Sequence, residues 1–177
     1  MTVAMILIVI FIGIPVFAAT KPDTISIQRA AEIKAPPERI FALIADFHHW
    51  KDWAPQDRMD STMQRSYGGP SSGLGAFSEW KSKGNAGRGR MEIVEAQAPL
   101  KLTVRVDFTK PFQARNINQF TLEPVGGMTR VSWAMRGTSP YVVKLMSVFF
   151  DMERIMGRHF EAGLQSLKAL AEQQGPA

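Results

Sequence analysis

Residues 32–55, EIKAPPERIFALIADFHHWKDWAP, decide how the rest of the chain is read. They join the end of a strand, IQRAAEIKA, to a double proline, a short helix and an aromatic-rich turn. Pro36 and Pro37 suit a first helical turn, where a missing N–H leaves no intrahelical bond unmade. Ile40, Phe41 and Ile44 then share one apolar helix face. The segment reads as strand, tight turn and short packed helix.

Downstream, GGPSSGLG at 68–75 has the Gly, Pro and Ser density of a loop. Strand-like runs follow at 76–82, 88–96, 102–108, 112–123 and 129–137, with Gly84-Asn85 and Gly126-Gly127 as hairpin signals between neighbours. Tight turns in sequence order exclude a parallel βαβ array and predict α+β with a curved antiparallel sheet. In the last element, predicted as one helix over 141–173, Val142, Leu145, Phe149, Met152, Met156, Phe160, Leu164 and Leu167 recur every three or four positions. That face should close over the sheet. The unusually apolar start, 141–150, would be ordinary core or would border a cavity mouth, a partner or a bilayer. Gly157 is a candidate bend.

Taken in order, IKAPPERIFALIADFHHWKDW, GPSSGLGAFSEW, AGRGRMEIVEA, FTLEPVGGMTRVSWAM and FFDMERIMGRHFEAGLQSLKALAE resemble the SRPBCC, or START-like, superfamily of polyketide cyclases, dehydrases and lipid-transport proteins, from about Ile25 to Glu172. The resemblance implies a helix-grip fold, a curved antiparallel sheet wrapped around the long C-terminal helix, for a domain over 25–173. It supplies no universal catalytic set.

Residues 3–19, VAMILIVIFIGIPVFAA, stand apart, with 17 positions lacking any charge. As a helix they span about 25 Å, the short limit for a membrane crossing. The expected organisation is an N-terminal transmembrane anchor at 1–20 and a linker at 21–24, giving a single-pass membrane protein of undetermined orientation. A cleaved signal peptide is the competing reading, supported by Val16-Phe17-Ala18 after Pro15 and opposed by the missing basic n-region.

Cysteine is absent, which excludes disulfides, thiolate zinc sites and cysteine nucleophiles. The net charge of +5 concentrates in residues 61–120, with nine Lys/Arg against four Asp/Glu. By alternation Arg88, Arg90, Arg105, Arg130 and Arg136 fall on the outer sheet face, a solvated surface or an attraction for anionic headgroups. No nucleic-acid role is expected, because basic residues are not interleaved with exposed aromatics.

The inner face predicts a ligand cavity of about 300 Å³ or more. Its expected lining is Trp80, Met91, Ile93, Val104, Val106, Phe108, Asn116, Asn118, Phe120, Trp133 and Met135. Phe112, Ala114, Asn116, Asn118, Phe120 and Leu122 share a row whose middle holds two amides. Each amide is either satisfied within the fold or meets the polar end of a ligand. Adjacent His48 and His49 diverge too far to ligate one metal, so no metal or other cofactor is expected. Asp46 with His49, or His48 with Asp52, could form a local acid–base pair, and Asp46 and His49 are the catalytic candidates. Glu79 and Asp107 are expected to face outward.

These features predict a membrane-anchored, noncatalytic binder of a hydrophobic small molecule or lipid. The alternatives are a cyclase or dehydratase acting in the same cavity, and a structural or stress-related module of the cell envelope.

Overall fold

The computed structural model describes residues 12–55, 60, 62–84 and 86–173. Its core is a seven-stranded, wholly antiparallel sheet: β1 (Thr24–Ile33), β2 (Gln64–Gly68), β3 (Phe77–Lys81), β4 (Arg88–Gln97), β5 (Lys101–Lys110), β6 (Ala114–Val125) and β7 (Met128–Thr138). The spatial order is β1-β7-β6-β5-β4-β3-β2. The first strand therefore closes beside the last, and the helical insertion after β1 carries the chain to the far edge. Strand β2, QRSYG, escaped the sequence pattern because no residue in it is aliphatic. The fifth expected strand starts two residues late, at Ala114, leaving Phe112 outside the sheet and exposed.

Helix α1 (Ile14–Ala19) precedes the sheet; α2 (Pro37–Ala45), a 3₁₀ turn (Phe47–His49) and α3 (Trp50–Trp53) lie between β1 and β2. The aromatic turn folds back on α2 for a specific reason. A helix leaves its last carbonyls without intrahelical donors. Here the Trp50 indole donates to Ile44 O at 3.0 Å and the Trp53 indole to Leu43 O at 3.3 Å, both buried. FHHWKDW is thus a C-terminal cap that also fills core.

The C-terminal segment is two helices, α4 (Tyr141–Met146) and α5 (Met152–Gln173), where one was expected. The missed signal is Asp151, whose carboxylate accepts from the Arg154 N–H at 3.0 Å as an N-cap, so a new helix begins after FF. Helix α5 lays Phe160, Leu164, Leu167 and Ala171 on the sheet. It runs through Gly157 as one helix. Gly157 is needed for space, since a Cβ there would lie 2.1 Å from Arg29 Nη2. Arg29, on the inward row of β1, reaches across this gap to Glu161 at 2.7 Å and Glu153 at 2.9 Å. Those bonds hold its guanidinium above its ordinary pKa.

The end of the N-terminal apolar run is tied to the domain. Ala18 is fully buried, and the Tyr141 hydroxyl donates to Pro15 O at 3.0 Å. The following residues are no free spacer either, because Asp23 pairs with the buried Lys144 of α4. Among the described residues no helix is long and apolar enough to cross a membrane. Residues 1–11 of the expected anchor lie outside the described part.

Candidate functional site

Alternation places Met91, Val104, Val106, Trp133 and Met135 inward, and all are buried. The outer face is a ladder of ion pairs. Arg90 binds Glu79 at 3.1 Å and Glu92 at 3.3 Å, and Arg105 binds Glu92 at 2.9 Å and Asp107 at 3.1 Å. Glu79 and Asp107 therefore face outward as expected.

Between the sheet and α5 lies a cavity of about 140 Å³. Eight of the residues expected there line it: Trp80, Met91, Val106, Phe108, Asn116, Asn118, Trp133 and Met135. Ile93, Val104 and Phe120 are fully buried but sealed in the core, away from the cavity. The void is less than half the expected size because aromatic rings fill one end of the interior. Trp50 and Trp53 each set an edge against Phe120 at 6.1 Å, and Trp133 stacks on Phe160 at 4.1 Å.

Two close approaches shape what remains. Trp80 lies flat over Gly89, its partner across the β3–β4 register; a Cβ on Gly89 would fall 2.3 Å from Trp80 Cη2 and 2.5 Å from Asp107 O. Asn116 likewise lies over Gly137, where a Cβ would be 1.8 Å from Asn116 Oδ1.

The two inward amides are not equivalent. Asn118 Oδ1 accepts from the Trp133 indole N–H at 2.9 Å in a buried bond, so it is answered inside the fold, by a side chain instead of a backbone bulge. Asn116 Oδ1 is buried and has no hydrogen-bond partner among the described residues. Sequence reasoning missed Arg65 on β2, which also lines the cavity and donates to the fully buried Ser78 Oγ at 3.1 Å. An inward arginine opposite Trp80 is visible only once β2 is paired with β3. Met63, Met91, Met135 and Met156 contribute thioethers to the lining, and these adapt readily to guests of different shape.

Asp46 and His49 lie elsewhere. None of Asp46, His48, His49 or Asp52 lines the cavity. Asp46 N-caps the 3₁₀ turn, accepting from the His48 N–H at 2.8 Å and meeting His48 Nδ1 at 2.7 Å. His49 Nε2 is 4.0 Å from Asp46, so His48 is the partner of Asp46 where His49 was expected. Partial burial pushes the Asp46 carboxyl up, but the two His48 bonds and the nearby imidazoles outweigh it and hold the carboxyl below its ordinary pKa. His48 also stacks on Tyr67 with ring centroids 4.1 Å apart, so the cluster is packed as a surface turn. Among the described residues no three His, Asp or Glu side chains converge as metal ligands.

A curved antiparallel sheet gripping a C-terminal helix around an apolar cavity defines a helix-grip protein. The chain belongs to the polyketide cyclase / dehydrase and lipid transport family, whose pattern matches residues 24–172. Solved structures share the fold at low identity. Protein CV1439 from Chromobacterium violaceum is 18% identical with a TM-score of 0.59, the match covering 86% of this chain and 99% of that one. The Aha1 dimer from Colwellia psychrerythraea is 17% identical with a TM-score of 0.57 and the same coverage, 86% and 99%. Hypothetical protein jhp0584 from Helicobacter pylori is 10% identical with a TM-score of 0.64, covering 88% and 92%. No curated protein matches the sequence.

Proposed function

We propose that the protein is a membrane-anchored, noncatalytic binder of a hydrophobic small molecule or lipid-derived compound, held in the cavity between the sheet and α5. The observation that carries this reading is an apolar cavity lined by Asn116, whose buried Oδ1, packed over Gly137, has no hydrogen-bond partner among the described residues. An unmade buried hydrogen bond costs about 1–3 kcal/mol, which a ligand donor recovers once the amide swings off Gly137 toward the cavity. Arg65 at the same cavity adds a cationic wall suited to a carboxylate or other polar end. At about 140 Å³ the cavity resembles in size an engineered apolar cavity of about 150 Å³ that takes a benzene-sized guest. A longer chain enters only if the four methionines give way. The noncatalytic part rests on the lining, which among the described residues holds no carboxylate or imidazole to act as acid or base. Anchoring rests on the 17 uncharged residues at 3–19.

The test is native mass spectrometry of the full-length protein purified without denaturant, together with thermal shifts in a panel of alkylphenols and medium-chain fatty acids. One apolar compound per chain is expected. Val106→Trp, which fills the cavity, should abolish both retention and the shift. If no panel member raises Tm and nothing co-purifies, or if Val106→Trp behaves as wild type, the binding reading falls.

A further inference from the structure

Large apolar side chains exposed on the described surface gather most densely at one end, where α1, carrying Val16 and Phe17, packs beside α4, which carries Tyr141 and Met146 and runs on into the Phe149-Phe150 turn. Phe149 is 64% exposed and Phe150 55%. Phenylalanine in that condition has not been absorbed by its own core. The patch is not a loose tail: Ser147, Val148, Phe149 and Phe150 are held by successive backbone bonds to Val143, Leu145 and Met146. A groove of about 470 Å³ separates this turn from Lys21 and Pro22 at the end of the apolar run.

We infer that the α4 helix and the Phe149-Phe150 turn form a second membrane contact, which seats the domain against the bilayer surface from which its ligand comes. This rests on the anchor reading, and what identifies the occupant is continuity. The apolar run enters the described structure at Ile12 and ends at Ala19, followed at once by Thr20 and Lys21. Tyr141 is hydrogen-bonded to the carbonyl of Pro15, four residues before that end. At 1.5 Å per residue, that contact lies about 6 Å inside the apolar run. If residues 3–19 lie in lipid, Tyr141 sits at interfacial depth, where tyrosine is favoured, and the Phe149-Phe150 turn, across the groove from Lys21 and Pro22, is held at the headgroup level into which exposed phenylalanines insert. The Asp23–Lys144 pair ties the same junction to α4. The turn leads directly into α5, whose Met156 lines the cavity. Met156 is four residues past Met152, about 6 Å along the helix, so a seated domain brings its cavity wall close to the lipid surface.

The chain has no cysteine, so single-cysteine spin labelling is clean. Full-length protein carrying Val16→Cys, Phe149→Cys, Phe150→Cys or Val125→Cys, each labelled with a nitroxide, is reconstituted in phosphatidylcholine vesicles. Val125 is an exposed residue of the remote β6–β7 hairpin. Collisions with oxygen and with a water-soluble nickel chelate are compared. Labels at 16, 149 and 150 should favour oxygen, and the label at 125 should favour nickel. If 16 favours oxygen while 149 and 150 favour nickel, the anchor stands and the second contact is wrong. If 16 favours nickel as well, the anchor reading and this inference fall together. Shielding of 149 and 150 from both reagents, with spin–spin broadening lost on dilution by unlabelled protein, would assign the patch to a second copy of the chain and overturn the lipid contact.

Discussion

Replacing Asn118 by Leu and, separately, Asn116 by Leu should have opposite effects, although both are amides on one strand pointing the same way. Trp133 is 3% exposed and Asn118 8%, and their 2.9 Å bond is the indole's hydrogen bond. Asn118→Leu orphans a buried N–H, at about 1–3 kcal/mol. For a chain of this size each kcal/mol moves Tm by about 2–4 °C, so the loss should be about 2–12 °C. Asn116→Leu removes a buried oxygen that already lacks a partner, and Tm should hold or rise. The assay is thermal and urea unfolding of the full chain in one mild detergent. A double-mutant cycle then tests the pair itself: Trp133→Phe and Asn118→Leu each strand one partner, whereas the double variant strands neither. Its cost should fall short of the sum by about 1 kcal/mol or more. Equal losses for the two Leu variants, or an additive cycle, would refute the assignment of one amide to structure and the other to ligand. With a bound compound, Asn116→Leu should reduce the ligand-induced shift, and Asn118→Leu should not.

Gly89→Ala should destabilise by about 1–3 kcal/mol or more, because the new Cβ meets the Trp80 ring and, 2.5 Å away, the immovable carbonyl of Asp107; chemical denaturation reads it. Asp46→Ala should cost about 1 kcal/mol near neutrality through the lost N-cap. Since the Asp46 pKa is lowered on folding, its charge-dependent stabilisation is present above the ordinary carboxylate value and is lost as pH falls through the folded value. The gap between wild type and Asp46→Ala in urea midpoint should therefore narrow below about pH 4, and a gap that widened on acidification would contradict the bonding seen at His48. Arg29→Met should lower the urea midpoint only slightly, and less in high salt, because both partner glutamates are more than half exposed. A salt-independent loss would mean that Arg29 acts through packing over Gly157.

The sheet was legible because alternation is a local property: side chains on a strand change face every residue, so Leu102, Val104 and Val106 announce an interior without reference to the rest of the chain. The same rule was silent for QRSYG, whose inward residue is an arginine, and that silence hid Arg65. The helical period carried the predicted helix across Ser147–Asp151, because the apolar spacing continues through a turn that the Asp151 cap actually divides. The Asp46 pairing failed for a related reason. Spacing brings both imidazoles within reach of the carboxylate, and only the 3₁₀ geometry of the turn chooses His48.

The family, the antiparallel character of the sheet and the inward faces of β4 to β7 follow from the order of amino acids alone, since they rest on patterns a few residues long repeated in order. The tertiary structure alone decided how much space that inward face encloses and which polar atom within it stays unanswered. A cavity is the small difference between a large enclosed volume and the side chains that fill it, and here Trp50 and Trp53, arriving from the segment after α2, set their rings against Phe120 within that volume. Whether an amide is satisfied likewise depends on cross-strand register. Asn118 stands close enough to Trp133 to accept its N–H, whereas Asn116 stands opposite Gly137, which has nothing to donate from a side chain.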